Sequence, residues 1–401
     1  MPKFLALAPL CSSVFFVATG AFTLLISVSQ TALAQLNANH TTYNPTQLVE
    51  DVLINGGECV EVSGITYTGH NQARGYFTGG QNTVGFESGV ILASGRVSNA
   101  NGPNNAENET SDFGNPGDND LDLAQPGSCN THDAAILSFD FVPTQDIASF
   151  EYVFGSEEYC EWAPSNFSDV FGFFISGPGI SGPYSGGAVN IALIPGTSTP
   201  VSINNVNQNT NTTYFIGNNG SCPTDANLNV EYDGLTVVLT ATTPTLTPCE
   251  TYHIKLAVAD CSDWILDSGV FLKEGSFNAG NGFSVNTGVG GVSGINLMYE
   301  GCETGYFVFI REDTTDLSQP YTITGITLNN GSTATPGVDC NTIPSSFTIP
   351  AGQISDTLWI NAFIDFKTEG IESLILNIPT GCPCNNSTIT KTMLIKDADP
   401  Q

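Results

Sequence analysis

Carboxylate side chains carry most of the chemistry that this sequence could perform, because 39 acidic residues are set against nine basic ones. The first group is Asp118, Asp120 and Asp122, where acids at alternate positions can direct side-chain oxygens to one centre. Calcium loops begin in this way, but Leu123 at the sixth position and Cys129 at the twelfth do not fit an EF-hand. We predict a calcium site here, with an acidic, solvated loop as the alternative.

A second acidic group lies between two aromatic-rich segments and consists of Glu157, Glu158 and Asp169. Unpaired carboxylates are costly to desolvate in such surroundings. Glu157 and Asp169 could act as the acid and base of a glycosidase. A strand end that is exposed or bridged by a metal ion is the alternative, and since no substrate groove can be identified, we assign these residues to metal binding.

Other catalytic constellations are weak. His132 and His253 have no Ser or Cys partner in a nucleophile-elbow or papain-like context, and the absence of a C-x-x-C pair argues against zinc. We therefore expect no enzymatic activity. Trp162, Trp264 and Trp359 could form a sugar-stacking platform, but core positions are the simpler interpretation. Three acids flank Trp264 and could extend a polar site: Asp260, Asp263 and Asp267.

The net charge of −30 makes nucleic acid an improbable partner. Clustered carboxylates would repel one another in the folded chain unless a cation neutralised them. A hard divalent cation suits oxygen ligands, and outside the cell that ion is most often calcium. We therefore predict Ca²⁺ as the bound cofactor.

The first 34 residues have the features of a secretory signal peptide: Lys3, an apolar run over residues 14–26 and a small-residue cleavage site before Gln35. A retained membrane anchor is the alternative, but the run is shorter than the ~20 residues that a spanning helix needs. Removing this segment leaves ten cysteines, an even number that favours at least three disulfides. We expect a secreted or cell-surface protein with no transmembrane span after cleavage.

The remaining chain is predicted to be all-β. Segments 135–142, 235–241 and 252–259 alternate or are β-branched and are bounded by turn residues, whereas residues 45–54 suggest one short helix. We expect two β-sandwich-type domains, the larger with long loops, over residues 35–277 and 295–399, joined by a Gly-rich linker over residues 278–294. The end at Gln401 resembles the start of a further linker, so we expect the natural protein to be longer.

The larger segment resembles a known family. The strings FGSEEY, SDVFGFFISGPG, NIALIPGTSTPVSINNVN, YDGLTVVLTA, CETYHIKLAVAD and DSGVFLKEGSF are similar, in this order, to the choice-of-anchor L domain of bacterial secreted and surface proteins. The similarity spans about residues 46–277. It implies an extracellular module whose relatives differ in how they attach to the cell, and it implies no defined biochemical activity.

The last hundred residues resemble a Calx-beta module, a seven-stranded sandwich whose calcium-binding members gather carboxylates at one end. The similarity rests on the strings FVFIR, ATPGVDC, FTIPAG and EGIESL. One departure is that Phe366 and Lys367 follow Asp365, where calcium-sensing members place further acids. The ligands that this resemblance implies are Glu300, Asp339, Asp365, Glu369, Asp397 and Asp399.

These patterns support a calcium-stabilised adhesin or matrix-type binding protein with an unidentified extracellular ligand, either a glycan or a surface protein. One alternative is a carbohydrate-binding or carbohydrate-active module that uses Glu157, Glu158 and Asp169. Another is a self-assembling filament subunit, because exported β modules can associate by strand addition.

Overall fold

The computed structural model describes residues 35–54, 59–106, 108–124, 129–165, 168–280, 282–311, 317–364, 367–384 and 387–398. They form two compact units, one ending at Asn281 and the other beginning at Gly282. Both units are built mainly from antiparallel sheets, which confirms the all-β prediction. Among the described residues, no helix is long and apolar enough to cross a membrane.

The first unit contains two sheets. One has the strand order β1-β3-β4-β13-β6-β10-β9, with β11 also paired to β6, and the other has the order β2-β5-β12-β7-β8. The strands are β1 (Asn37–Asn39), β2 (Glu61–Thr68), β3 (Arg74–Thr78), β4 (Gly89–Ala93), β5 (Thr131–Val142), β6 (Ser149–Ser156), β7 (Val170–Ser176), β8 (Val189–Asn190), β9 (Phe215–Gly217), β10 (Gly234–Thr236), β11 (Leu239–Thr242), β12 (Tyr252–Cys261) and β13 (Ser268–Lys273).

Aromatic side chains pack these two sheets together. Phe150, Tyr152 and Phe154 alternate along β6, and therefore lie on one face of their sheet. They meet Phe171 and Phe173 of β7 in the other sheet, with ring centroids 5.0 Å apart for Phe150 and Phe173 and 4.5 Å apart for Phe154 and Phe171. All five rings are buried, so the β6–β7 contact forms the centre of this core.

The predicted helix over residues 45–54 forms as α1 (Pro45–Gln47), which continues into π-helical backbone over Leu48–Leu53. Asn44 caps α1, and its side chain and that of Gln47 make a reciprocal capping box. A second helix, α2 (Asn119–Ala124), lies where the sequence suggested an acidic loop. Short 3₁₀ turns occur at Asn71–Ala73, Val97–Ala100, Ser185–Gly187 and Thr212–Tyr214. The strand predicted over residues 235–241 is divided between β10 and β11.

The second unit has two four-stranded sheets, ordered β15-β14-β17-β21 and β16-β23-β22-β19, and a β18-β20 pair. Its strands are β14 (Phe283–Val289), β15 (Val292–Ser293), β16 (Leu297–Tyr299), β17 (Thr304–Arg311), β18 (Tyr321–Thr324), β19 (Thr327–Leu328), β20 (Ser346–Ile349), β21 (Ser355–Asn361), β22 (Ile371–Pro379) and β23 (Thr388–Lys396). The stretch predicted as a linker, residues 278–294, therefore contributes β14 and β15. Phe283 and Val285 of β14 are buried in the core, so the part of this segment that follows Gly282 belongs to the second unit, whereas Asn278 and Ala279 belong to the first.

Disulfide bonds are present, as predicted. Cys129 pairs with Cys261, and Cys160 pairs with Cys222. Further bonded cysteines are Cys59, Cys249, Cys302, Cys382 and Cys384. Cys340 is a free thiol buried in the core of the second unit.

Candidate functional site

The first predicted calcium group is occupied by protein partners. Lys255 of β12 places its Nζ 2.8 Å from Asp118 Oδ1, and it also contacts Asp120 Oδ2. The other oxygen of Asp120 accepts hydrogen bonds of 2.8 Å from the backbone N–H and the hydroxyl of Ser185. Burial opposes ionisation of Asp120, but the bonds from Lys255 and Ser185 outweigh it, and its pKa is lowered. These contacts give both carboxylates protein partners, and the Lys255 ammonium offsets one of their two negative charges.

The remaining contacts of this group stabilise α2. Asp118 Oδ1 accepts hydrogen bonds from the N–H groups of Asp120 and Leu121, at 3.0 and 3.2 Å, and so occupies the N-terminus of the helix. Asp122 Oδ1 accepts from the N–H and hydroxyl of Thr131, at 2.8 and 2.7 Å. The segment therefore has a structural role, and calcium binding by Asp118, Asp120 and Asp122 stays a prediction.

The second predicted group lies inside the first unit, at one end of the sandwich. Glu157 and Glu158 follow β6 and Asp169 precedes β7, and their relative exposures are 1%, 1% and 0%. Asp260 of β12 and Asp267, which precedes β13, are buried beside them. These five residues, Glu157, Glu158, Asp169, Asp260 and Asp267, are called the buried acidic cluster below.

Backbone hydrogen bonds place these acids where the two sheets meet. The N–H of Glu157 donates to the carbonyl of Asp267 over 3.1 Å, which joins the ends of β6 and β13. In the other sheet, Asp169 Oδ1 accepts from the N–H of Cys261 at 3.0 Å, next to Asp260. The N–H of Asp169 donates to Glu158 Oε2 over 2.8 Å and connects the two sides.

Glycines make room for this arrangement. Gly155 of β6 and Gly269 of β13 are paired in register, and a Cβ on either would lie within 2.7 Å of the Tyr232 side chain. The buried ring of Tyr232 therefore fits over two positions that lack side chains. A Cβ at Gly95 would lie 1.8 Å from Asp267 Oδ2, so this position must also be glycine for Asp267 to point inward.

Burial and mutual repulsion raise the pKa values throughout the cluster. Burial, together with the nearby charges of Asp233, Glu231 and Asp267, raises the pKa of Glu157 to about 10. Burial also raises the pKa of Asp267 to about 7, although the N–H of Ser111 donates to it. Burial is also the main reason why the pKa values of the other three members are raised, namely those of Glu158, Asp169 and Asp260.

Several polar atoms in the cluster lack a hydrogen-bond partner of ordinary geometry among the described residues. They include both carboxylate oxygens of Glu157 and of Asp260, and Oδ2 of Asp169. Basic groups do not compensate, because the described Lys and Arg side chains of this unit are engaged elsewhere. Arg74 bonds to the Tyr43 carbonyl, Arg96 to Gln72, Lys255 to Asp118 and Asp120, and Lys273 to Glu151.

A third group of acids converges in the second unit. Oxygens of Asp339, Glu369 and Glu372 all lie within 4.8 Å of one another, a spacing that one metal ion can bridge. Asp339 is buried, with Oδ2 accepting from the N–H of Thr335 at 2.6 Å, whereas Glu369 is exposed and lies 3.7 Å from Lys367 Nζ. The group is therefore open to solvent on one side.

Strand pairing brings two more predicted ligands to this end of the unit. Asp397 Oδ2 accepts from the N–H groups of Glu369 and Gly370, at 2.9 and 3.0 Å. The buried Glu300 follows β16, and its N–H donates to the Lys396 carbonyl over 3.0 Å, beside Asp397. Residues that are distant in sequence thus lie at one end of the unit, and calcium binding by them stays a prediction. Asp365 and Asp399 lie outside the described residues.

The sequence-based prediction missed some members of both groups. Glu372 was not among the predicted ligands, although it follows Glu369 by three residues in the segment EGIES. Tyr232 was also missed, and burial, followed by the nearby charges of Asp267, Glu157, Asp169 and Asp260, raises the pKa of its hydroxyl. The one available signal was its position between two acids, Glu231 and Asp233, just before β10.

Comparison with known proteins agrees with the larger unit. Residues 36–278 match the family model of the choice-of-anchor L domain, which covers more than half of the chain. No curated protein matches the chain significantly.

Proposed function

Because the chain belongs to the choice-of-anchor L domain family, we propose that it is a secreted or cell-surface binding protein of adhesin or matrix type whose β units are stabilised by calcium. The family and the disulfide bonds indicate an extracellular or surface location. In that environment, calcium is the common hard cation for clustered carboxylates.

The convergence of Asp339, Glu369 and Glu372 at the tip of the second unit carries the calcium proposal. Asp339 lies in the connection between β19 and β20, whereas Glu369 and Glu372 lie at the start of β22, so an ion would cross-link two separate segments. Binding that is specific to the folded state stabilises it by mass action. The second unit would then act as a stiffened, Calx-beta-like spacer.

A non-catalytic role is part of this proposal. A glycosidase needs its two carboxylates at the wall of a groove that a sugar can enter. Glu157, Glu158 and Asp169 are instead almost completely buried. This burial supports a structural role for the acids rather than contact with a substrate.

Thermal unfolding of the full chain, in EDTA and in millimolar calcium, tests the tip site. We expect Glu372→Gln to reduce the calcium-induced rise in the unfolding temperature of the second unit. Asp356→Asn is the matched control, because Asp356 is a partly buried carboxylate of the same unit that bonds to the neighbouring N–H of Thr357. Equal calcium responses in the two variants would contradict the tip site.

Exposed aromatic residues favour a glycan as the bound ligand. Trp162 and Trp264 of the first unit are 51% and 43% exposed, and the Trp264 ring lies 4.0 Å from that of His132. Such aromatic faces can stack on sugar rings.

We expect the chain to bind an array of immobilised glycans, and Trp264→Ala to weaken that binding. Trp359→Ala, which removes a 53% exposed Trp from the second unit, should leave it unchanged. An array with no binding above background would argue against a glycan ligand.

A further inference from the structure

The buried acidic cluster contains polar atoms that a folded protein does not leave without partners. Asp260 is 0% exposed, and neither of its carboxylate oxygens has a hydrogen-bond partner of ordinary geometry among the described residues. The same is true of Asp169 Oδ2, of the Ser268 hydroxyl and of the Tyr232 hydroxyl, each fully buried. A buried polar group without a partner destabilises the folded state, and a charged one does so more strongly.

Two neutral hydroxyls are part of this group. Ser94 Oγ accepts a 2.9 Å hydrogen bond from the N–H of Ser268, which holds Ser94, just after β4, beside Ser268 at the start of β13. The hydroxyl of Ser268 lies close enough to Asp169, and that of Ser94 close enough to Asp260, to lower the pKa of each carboxyl, but burial raises both by more. The serine hydroxyls, like the two carboxylates, are hard oxygen ligands.

The residues of this group come from both sheets of the first unit, so an ion bound there would connect the two sheets. Asp169 directly precedes β7, and Asp260 lies in β12 of the same sheet. In the other sheet, Ser94 directly follows β4, and Ser268 is the first residue of β13. Disulfides hold the adjoining loops, because Cys261 follows Asp260 and is bonded to Cys129, and Cys160 follows Glu158 by two residues and is bonded to Cys222.

We propose that the first unit holds a calcium ion between its two sheets, with Asp169 and Asp260 as the charged ligands and the hydroxyls of Ser94 and Ser268 beside them. The ion replaces the missing partners of the buried oxygens and cancels the repulsion among the five acids. All the proposed ligand atoms are oxygens, and an all-oxygen site favours a hard cation over zinc. Calcium also accepts irregular coordination better than magnesium does.

Coordination by three carboxylates at once is not part of the proposal. Among the described residues, the carboxylate triplet with oxygens mutually within 4.8 Å is the one at the tip of the second unit. In the first unit, the proposed ligands are two carboxylates and two hydroxyls. Glu157, Glu158 and Asp267 contribute negative charge around it.

This site rests on the proposed calcium stabilisation and deepens it by giving the first unit its own ion, but it does not depend on adhesion or on the tip site. Isothermal titration of the full, EDTA-stripped chain with CaCl₂ should show two bound ions. Asp260→Asn should remove one of them, with an affinity loss larger than the ~10–100-fold that removal of an outer-shell partner costs. Glu372→Gln should affect the other ion only.

Thermal unfolding supplies a second readout, because the effect of Asp260→Asn on the unfolding temperature should differ in sign between EDTA and calcium. In EDTA, Asp260→Asn should unfold at a temperature equal to or above that of the wild type, because a neutral amide replaces a buried carboxyl whose ionisation the neighbouring acids oppose. In millimolar calcium it should unfold below the wild type, because it lacks the ion. Asp140→Asn is the control, since Asp140 is a surface carboxylate of the same unit paired with His253.

The two proposals fail in different ways. One bound ion that Asp260→Asn abolishes would support the site in the first unit and contradict the tip site. Unchanged stoichiometry and affinity in Asp260→Asn would overturn the inference, as would a variant less stable than the wild type in EDTA with an undiminished calcium response.

Discussion

Lys255 is the cationic partner of the first acidic group, Asp118, Asp120 and Asp122. Its ammonium contacts Asp118 and Asp120 and lies 4.9 Å from the centroid of the Phe174 ring. The side chains of Lys255 and Asp120 are only 16% and 5% exposed, so solvent screens their interaction weakly. Removing one partner of a buried ion pair leaves an uncompensated charge, which is more costly than never having formed the pair.

We therefore expect Lys255→Met to destabilise the first unit by about 3–5 kcal/mol, the usual cost of breaking a buried pair. Lys273→Met is the matched control, because Lys273 pairs with Glu151 where both side chains are about two-fifths exposed. Such surface pairs contribute ~0–1 kcal/mol. Chemical denaturation of both variants in EDTA measures the difference, and equal losses would show that Lys255 does not sustain the acidic group.

The same variant bears on the predicted calcium site at Asp118, Asp120 and Asp122. Should calcium bind there, it would take the place of the lost ammonium, and millimolar calcium would restore Lys255→Met more than it stabilises the wild type. Should the acids serve only the helix and the lysine, calcium would give both proteins the same increment.

At the scale of elements, the positions of strands were far more predictable than the partners of side chains. The alternating residues of β5 and β12 indicated strands directly, because side chains of a strand point to opposite faces in turn. The sequence of β14 did not, since its Gly, Ser and Asn residues resemble a linker until Phe283 and Val285 are seen in the core.

The candidate sites show the same division. Resemblance located Asp339 and Glu369 at one tip, because the order of strands in the implied sandwich fixes which turns meet. The ion pair of Asp118 with Lys255 could not be predicted, since it depends on the register of α2 against β12, more than a hundred residues away in sequence. A one-residue shift in strand register would have moved Lys255 to the other face.

Glycine positions supply a prediction at this scale. Gly95 follows β4, and the carboxylate of Asp267 occupies the space beside it. Gly95→Ala would place a methyl group 1.8 Å from Asp267 Oδ2 and force that side chain out of the buried acidic cluster. We expect a loss of stability of about 1–3 kcal/mol, typical of overpacking, and a weaker calcium response of the first unit.

The control is Gly220→Ala, because a Cβ at Gly220 meets no atom within 4 Å. Differential scanning calorimetry of both variants, with and without calcium, measures the effect. A Gly95→Ala variant as stable as Gly220→Ala would indicate that the side chain of Asp267 can leave its place at no cost.

For the whole molecule, the important quantity is where its excess negative charge lies. Most acidic residues can remain ionised at the surface, but the buried acidic cluster concentrates five carboxyl groups in a region without a described basic side chain. In the absence of a cation, folding keeps protons on some of these groups. Stability must therefore depend on pH in a direction opposite to that of ordinary acid denaturation.

We expect the free energy of unfolding in EDTA to fall as pH rises from 5 to 8. The pKa of Asp267 is raised from 3.8 to about 7 and that of Glu157 from 4.5 to about 10, so between these limits the folded chain keeps protons that the unfolded chain has released. Stability is then greatest below the ordinary pKa values and decreases as pH rises towards the raised ones. Asp120, whose pKa is lowered from 3.8, contributes a constant amount across this range.

Urea denaturation at pH 5, 6, 7 and 8, at constant ionic strength, measures this dependence. Asp267→Asn should flatten the decrease between pH 5 and 7, because its amide does not titrate, whereas Asp140→Asn, at a surface position, should leave the slope unchanged. Saturating calcium should reverse or abolish the decrease, since an ion stabilises the ionised carboxylates that high pH produces. Stability in EDTA that increased with pH over this range would mean that the buried carboxyl groups of the folded chain are already compensated by the protein itself.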